Sequence, residues 1–340
     1  MVSELKVPLP WQRENWQRLS GSVERDRTAH ALLMSGPQGL GKQLFAAAFC
    51  QTMLCQYPSV EGACGECKNC QLFAAGNHPD YRVITLEDKA QSIKIDQIRE
   101  LVVALAKTPQ IGARHWVIID PADALNNNAA NALLKLLEEP SGDAIIVLIS
   151  AYPHRLPATV RSRCQQLNFA IPASADASAW LQNHIPSQTE IYLSLAKGAP
   201  LRALQLHWEA GLESHQEIAQ QLEGVLLRKL SVVDAAAVYA ARSGTEVVDT
   251  MLDWIHQMAG RRLAKTESNS SLIPVLEQLG QTGNMLALFR FYDKLSAIKG
   301  LLISAANPNR TLLWEECLLD WLALANTSSK STSGEINLPN

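Results

Sequence analysis

The sequence predicts an α/β protein: a mostly parallel sheet with helices on both faces, then a small helical unit and an all-α domain. Three observations carry this expectation. Short apolar runs alternate with helical patterns through the first half of the chain, as parallel strands joined by helical crossovers do. A glycine-rich loop, Gly36-Pro37-Gln38-Gly39-Leu40-Gly41-Lys42, follows one such run and opens a helical stretch. Beyond Ile171-Pro172 the strand signals stop and helix follows helix.

Each element has its own local signal. Apolar runs place strands at Ala31–Ser35, Tyr81–Thr85, His115–Ile119, Ala144–Ser150 and Gln165–Phe169. A helix over Lys42–Cys55 continues from the glycine loop, Asp96 can N-cap another through Lys107, and Asn128–Glu139 should stop at Pro140. Ile95, Ile98, Val102 and Leu105 keep helical spacing and predict one buried face. Residues 173–212 read as a small helical unit, with Trp180-Leu181, Tyr192, Leu193 and Leu195 as core candidates. From about Glu213, Met251, Trp254, Ile255 and Met258 form one apolar stripe, and Trp314, Cys317, Leu318 and Trp321 another. Gly244, Gly283 and Asn307-Pro308 punctuate that region. The Ser-, Thr- and Gly-rich stretch after Asn326 is expected to be disordered.

Bulk properties exclude some function classes. At 340 residues the chain is too long for one small core and suggests two or three domains. With 30 Lys and Arg against 33 Asp and Glu, the net charge of −3 provides no chain-wide basic field for nucleic acid or an anionic membrane. Met1–Pro10 has no basic and apolar signal-peptide pattern, and no apolar run reaches the roughly 18 residues of a membrane span. A cytoplasmic protein without a membrane partner is expected. Such a compartment is reducing, which argues against disulfides among the seven cysteines.

The glycine loop has the spacing Gly36-x4-Gly41-Lys42. Glycines let backbone N–H groups converge on phosphate oxygens, and the lysine adds a point charge. A Ser or Thr normally comes next and ligates Mg²⁺. Gln43 stands there instead, and its longer amide cannot put an oxygen in the same place. Two readings stay open: weak or vestigial nucleotide binding through Gly36, Gly39, Gly41 and Lys42, or a glycine turn that only joins strand to helix. Farther on, Trp116–Ile119 runs into Asp120, which can face Mg²⁺ or merely cap a loop. Pro121 follows where an ATPase needs a carboxylate to orient water, and Asp123 cannot simply substitute. Loss of such a base costs about 10²–10⁴ in rate, so efficient turnover in this site is not expected.

Cys55-x8-Cys64-x2-Cys67-x2-Cys70 places four soft ligands close together, with Gly62 and Gly65 allowing the chain to turn. Four thiolates saturate a tetrahedral Zn²⁺, so the site would be structural. Free buried thiols and an iron–sulfur cluster are the alternatives, and the spacing favours zinc. Cys50 and Cys317 read as small core residues. Lys68 is the one basic residue between Cys64 and Cys70, too little for a DNA-binding knuckle. Just before the last predicted strand comes Thr159-Val160-Arg161-Ser162-Arg163-Cys164. An arginine at a domain edge can reach a neighbouring subunit's nucleotide, although a loop arginine taken alone is ordinarily a solvated charge.

Several stretches line up in order: His30-Ala31-Leu32-Leu33 before the glycine loop, the four cysteines after the next helix, Asn131–Pro140 after the Asp120 strand, and Ser162-Arg163-Cys164. In this order the chain resembles the bacterial clamp-loader branch of the AAA+ proteins, and within it the delta-prime family of the DNA polymerase III holoenzyme. The resemblance covers nearly all of residues 1–325 and is strongest over 28–170. It implies a RecA-like AAA+ domain over 1–170 with a zinc insertion at 55–70, a three-helix lid over 171–212, a helical collar over 213–326 and a disordered tail over 327–340.

It further implies a five-membered ring with gamma/tau motor subunits and a delta subunit, reaching the sliding clamp and primer-template DNA through the complex. The family resembles its motor partners without hydrolysing ATP. Arg163 would be a finger offered in trans, with Ser162 and Cys164 as its support, and Arg202 would fall at the second-sensor position in a structural role. Many relatives have lost the phosphate loop, whereas Gly36, Gly39, Gly41 and Lys42 remain, so the expectation is weak ATP binding without turnover. An autonomous motor-type ATPase is the alternative, against which Gln43 and Pro121 argue; a P-loop kinase lacks a recognisable substrate pocket. Lys94 and Arg99 are candidates to face a duplex inside a ring, though exposed helix charges are ordinarily only solvated.

Overall fold

The predicted apolar runs form five strands: β1 (Ala31–Ser35), β2 (Tyr81–Ile84), β3 (His115–Ile119), β4 (Ala144–Ser150) and β5 (Gln165–Asn168). The computed structural model describes residues 5–329 except 26–27, 89, 139–142, 210, 243–244, 265–284 and 304–307. The strands pair in the order β2-β3-β4-β1-β5, every pair parallel. Leu33 sits between Leu148 and Gln166, and Val117 pairs with Ile146.

β1, β3 and β4 are buried at every position, which is why they read as unbroken apolar runs. Their side chains alternate between two cores. Ala31, Leu33, Val117, Ile119, Ile146 and Leu148 point to one face, covered by α4 (Ile95–Leu105) and α5 (Asn127–Glu138). Leu32, Met34, Trp116, Ile118, Ile145 and Val147 point to the other, covered by α1 (Arg13–Glu24) and α2 (Lys42–Leu54). On that second face Trp16, Phe45, Phe49, Trp116 and Phe169 form a chain of edge-to-face contacts with centroids 5.1–5.8 Å apart.

Several predicted boundaries shift for local reasons. α2 ends at Leu54 because Cys55 turns extended, freeing its side chain for the cysteine cluster. α4 starts before Asp96: Lys94 is the N-cap residue, and the Gln97 amide oxygen accepts its N–H at 3.0 Å. Asp96 instead pairs with Arg99 in the first turn. The buried stripe of α4 is Ile98, Leu101 and Leu105, while Ile95 and Val102 line a cleft of about 650 Å³ against α5. Asn126 caps α5 by accepting the Ala129 N–H at 2.8 Å, and the expected stop at Pro140 lies outside the described residues.

After the sheet come α7 (Ser174–Gln182), α8 (Thr189–Leu195) and α9 (Pro200–Trp208), then α10 (Gly211–Leu226), α11 (Val232–Ala241), α12 (Glu246–Ala264), α13 (Met285–Ile303) and α14 (Arg310–Ser329). The chain divides into two compact units, Met1–Thr189 with Ala196–Gln205, and Glu190–Leu195 with Leu206–Asn340. Both predicted stripes are buried in the helical unit, with Tyr239 against Trp314 and Phe291 against Trp321. Gly244, Gly283 and Asn307 lie outside the described residues, as does the tail from 330. Residues 327–329, expected to be disordered, continue α14.

Phe49 is the test of the aromatic core. Fully buried between two neighbouring rings, it should cost about 3–5 kcal/mol when replaced by alanine, read as a lower denaturant midpoint.

Candidate functional site

The loop after β1 is folded around left-handed glycines: φ is +76° at Gly39 and +77° at Gly41, a region L side chains enter only at a cost. The loop is gripped from two directions. From the N-terminal side, the Trp11 indole N–H and the Gln12 amide donate to the Leu40 carbonyl at 3.0 and 2.9 Å, and Gln12 also reaches the Gly41 carbonyl. From α9, the Leu201 N–H donates to the Gly39 carbonyl at 3.0 Å. A Cβ on Gly39 would stand 2.4 Å from the Arg202 Cβ and 2.7 Å from its backbone nitrogen.

Lys42 is only 6% exposed and turns back on its own loop, donating to the Gly36 and Pro37 carbonyls at 2.5 and 2.6 Å. Burial lowers its pKa, and Asp120 and Asp123 pull in the opposite sense. Burial likewise raises the Asp120 carboxyl, with Lys42 opposing and Asp123 assisting. Asp123 is committed to the end of β4: its carboxylate accepts from the Ser150 hydroxyl at 2.5 Å and the Ala151 N–H at 3.1 Å. Both bonds use Oδ1 of Asp123, and Pro121 carries no carboxylate. Lys42 and Asp123 thus have hydrogen-bond partners within the protein, and Asp120 interacts with both through charge. Position 43 carries an amide where a metal-nucleotide site would use a hydroxyl.

The four predicted cysteines converge. Their sulfurs all lie within 4.8 Å of one another. Separations of 3.5 Å for Cys55–Cys64, 3.9 Å for Cys55–Cys67 and 4.0 Å for Cys64–Cys70 bracket the ~3.8 Å edge of a tetrahedron with ~2.3 Å metal–sulfur bonds. They are too long for disulfides. Backbone N–H groups point at the sulfurs: Tyr57 and Cys64 at Cys55, Cys67 at Cys64, and Cys70 at Cys67, which N-caps α3 (Lys68–Ala74). The Gln56 N–H draws the Cys67 thiol down to about 6, and the Cys67 N–H lowers Cys64. Burial pushes Cys70 up to about 12. The donor set suits a structural metal ion. Cys50 and Cys317 are fully buried outside the cluster, as expected of core residues.

Arg163 sits in the turn between α6 (Ala158–Arg161) and β5. Val160 and Cys164 flank it and are buried against Leu133, Leu136 and Leu137 of α5. The Cys164 thiol donates to the Val160 carbonyl at 3.3 Å, and the Ser162 hydroxyl to the Thr159 carbonyl at 3.1 Å. Arg163 Nη1 donates to the same Thr159 oxygen at 3.0 Å, and Nη2 meets Glu138 Oε1 at 2.7 Å. Thus Ser162 and Cys164 brace the turn that carries the guanidinium. Lys94 and Arg99 are exposed and paired with Glu87 and Asp96, and Arg202 meets the phosphate loop through its backbone.

Sequence reasoning missed Gln12, Trp11, Ser150 and Leu201, whose roles depend on distant backbone atoms. It passed over Glu138 although quoting it within a motif; its place at the helix end was the available signal. His30, quoted likewise, ties β1 to α5 through the Leu137 carbonyl at 3.0 Å.

Comparison with known proteins adds a second line of observation. The family described as "DNA polymerase III, delta subunit" matches residues 11–173, and "DNA polymerase III, delta subunit, C terminal" matches 188–323. The chain is 37% identical to a DNA polymerase III subunit delta' of Pseudomonas aeruginosa, over 93% of this chain and 97% of that protein. It is 32% identical to the subunit delta' of Yersinia pestis over 95% and 98%. The tau subunit of Bacillus subtilis is 30% identical over 77% of this chain and 43% of its own length.

The grip on the loop has a direct check. Gly39→Ala should lower stability by about 1–3 kcal/mol with no nucleotide present, from the left-handed φ and the clash with Arg202. A denaturant midpoint equal to wild type would mean that α9 does not depend on this glycine.

Proposed function

The chain belongs to the DNA polymerase III delta-prime family of AAA+ clamp-loader subunits, and from that premise we propose that it is the non-hydrolysing stator of the complex. In this reading it supports ATP-dependent loading of the sliding clamp onto primed DNA and offers Arg163 in trans to a gamma/tau motor neighbour. One contrast carries it. Lys42 spends its donors on its own loop with no base beyond Asp120, while Arg163 is 37% exposed on a braced turn. A guanidinium so placed can stabilise charge on a phosphoryl group in transfer, an effect worth about 10³–10⁵ in turnover.

The rest of the reading follows from the same premise. Residues 171–212 act as a lid and 213–326 as the collar that joins the ring with motor and delta subunits. Leu286, Phe289, Leu312 and Leu319, each 47–61% exposed on α13 and α14, supply apolar area of the kind interfaces use. Among the described residues no helix is long and apolar enough to cross a membrane, and the proposed setting is the cytoplasm. ATP binds weakly or not at all. A motor-type ATPase is the second reading, favoured by likeness to the tau subunit and by the retained Gly41-Lys42, and opposed by Gln43 and Pro121.

The cysteine cluster holds a structural Zn²⁺ through Cys55, Cys64, Cys67 and Cys70 in this proposal. Metal analysis of the purified chain should find about one zinc per chain. Cys67→Ala, which removes a ligand and the α3 cap, should lower that occupancy and speed proteolysis near residues 55–74. Zinc absent from wild type would sink the assignment.

The functional proposal is tested by reconstitution. The isolated chain should show no turnover above background, and Arg163→Ala should depress DNA-stimulated ATP hydrolysis by complexes assembled with motor subunits. An isolated rate comparable to a motor subunit would favour the second reading. An unchanged rate with Arg163→Ala would remove the in-trans role.

A further inference from the structure

Arg163 has one partner that the proposed role leaves without a purpose. Glu138, the last residue of α5, meets its Nη2 at 2.7 Å, with the two side chains 37% and 50% exposed. Exposed pairs of this kind contribute little to folding, so stability does not explain the arrangement. Geometry does. Both ends of the pair stand on one hydrophobic core: Leu133, Leu136 and Leu137 of α5 are buried with Leu156, Val160 and Cys164 around the Arg163 turn. The turn is further closed by the Arg163 N–H to the Val160 carbonyl at 3.2 Å.

A guanidinium has five N–H donors in a fixed plane. Here one hydrogen of Nη1 goes to the Thr159 carbonyl and one of Nη2 to Glu138. Two points fix the orientation of the plane, and Nε with the second hydrogen on each Nη remains for an incoming group. An arginine side chain otherwise samples many rotamers, and a phosphoryl transition state must wait for the right one.

We propose that Glu138 is a positioning residue for Arg163, pre-orienting its guanidinium toward the nucleotide of the adjacent subunit. The inference rests on the in-trans reading above and adds a second residue to it. Glu138 touches no reacting atom; it acts through Arg163. Three consequences follow. Removing the carboxylate should lower turnover without changing how the motor binds its own ATP. An amide, whose oxygen still accepts from Nη2, should restore most of the effect. Without Arg163, Glu138 should have nothing to position.

The experiment uses reconstituted complexes whose one hydrolysis-competent loop belongs to the motor beside Arg163. Wild type, Glu138→Ala, Glu138→Gln, Arg163→Ala and the Glu138→Ala/Arg163→Ala double variant are compared for kcat and KM in DNA-stimulated hydrolysis. Expected are a kcat about two- to fivefold lower for Glu138→Ala at unchanged KM, and a value within about twofold of wild type for Glu138→Gln. The double variant should match Arg163→Ala alone, and unfolding midpoints of the Glu138 variants should equal wild type.

A Glu138→Ala rate equal to or above wild type overturns the positioning role. So does an equal fall from Glu138→Ala in the Arg163→Ala background, which would mark a general structural effect. If Arg163→Ala lowers turnover while Glu138→Ala does not, this inference alone fails. If Arg163→Ala leaves turnover unchanged, the in-trans reading fails first and this inference with it.

Discussion

The central strands β1, β3 and β4 have no solvent-facing side, and that constraint determines where everything else comes to lie. Each must present apolar groups to helices above and below, so its register is pinned from both directions. Polar residues are excluded until the strand ends, and in a parallel sheet those ends share one edge. Gly36 therefore follows β1 beside Ser150 at the end of β4, joined by an N–H to carbonyl bond of 3.3 Å, while Asp120 follows β3 and donates to Ile84 of β2. The charged cluster at that edge follows directly from burying the strands.

An edge that carries the buried Lys42 beside half-buried Asp120 and Asp123 needs its charges compensated, because unpaired ions in a low-dielectric setting cost several kcal/mol each. Lys42 and Asp123 find that compensation within the chain. Lys42 lies on two loop carbonyls, the carboxylates oppose the effect of burial on its pKa, and Asp123 is held by Ser150 and Ala151. The same logic separates the two arginine environments: the Arg202 backbone is built into the loop packing, while Arg163 stands outside any core with only its neighbours in sequence buried.

Much of this was legible in advance. β1, β3 and β4 match their apolar runs residue for residue, since burial on both faces leaves a continuous pattern that local chemistry alone reveals. The cysteine cluster was legible because short spacing already confines four thiols to one small volume. The α4 stripe was only half legible: helical period marks which residues share a face, but α5 decides which part of the face becomes core and which a cleft. Contacts between a side chain and a far backbone atom, such as Gln12 to the Leu40 carbonyl, leave no pattern at all.

The contrast between Gln43 and Gly39 separates positions whose chemistry is free to change from positions fixed by the fold. Position 43 lies on a helix, where a hydroxyl and an amide can be exchanged without disturbing any backbone torsion. Position 121 precedes a short 3-10 turn; the Asp120–Pro121 peptide is cis, and the strand before it keeps its pairing. Gly39 differs in kind, since a side chain there would strain φ and displace α9 together. Side-chain chemistry can be shed one group at a time, whereas glycines that let three segments meet must stay as long as the fold does. A glycine loop is thus weak evidence for nucleotide chemistry wherever its glycines already have packing to do.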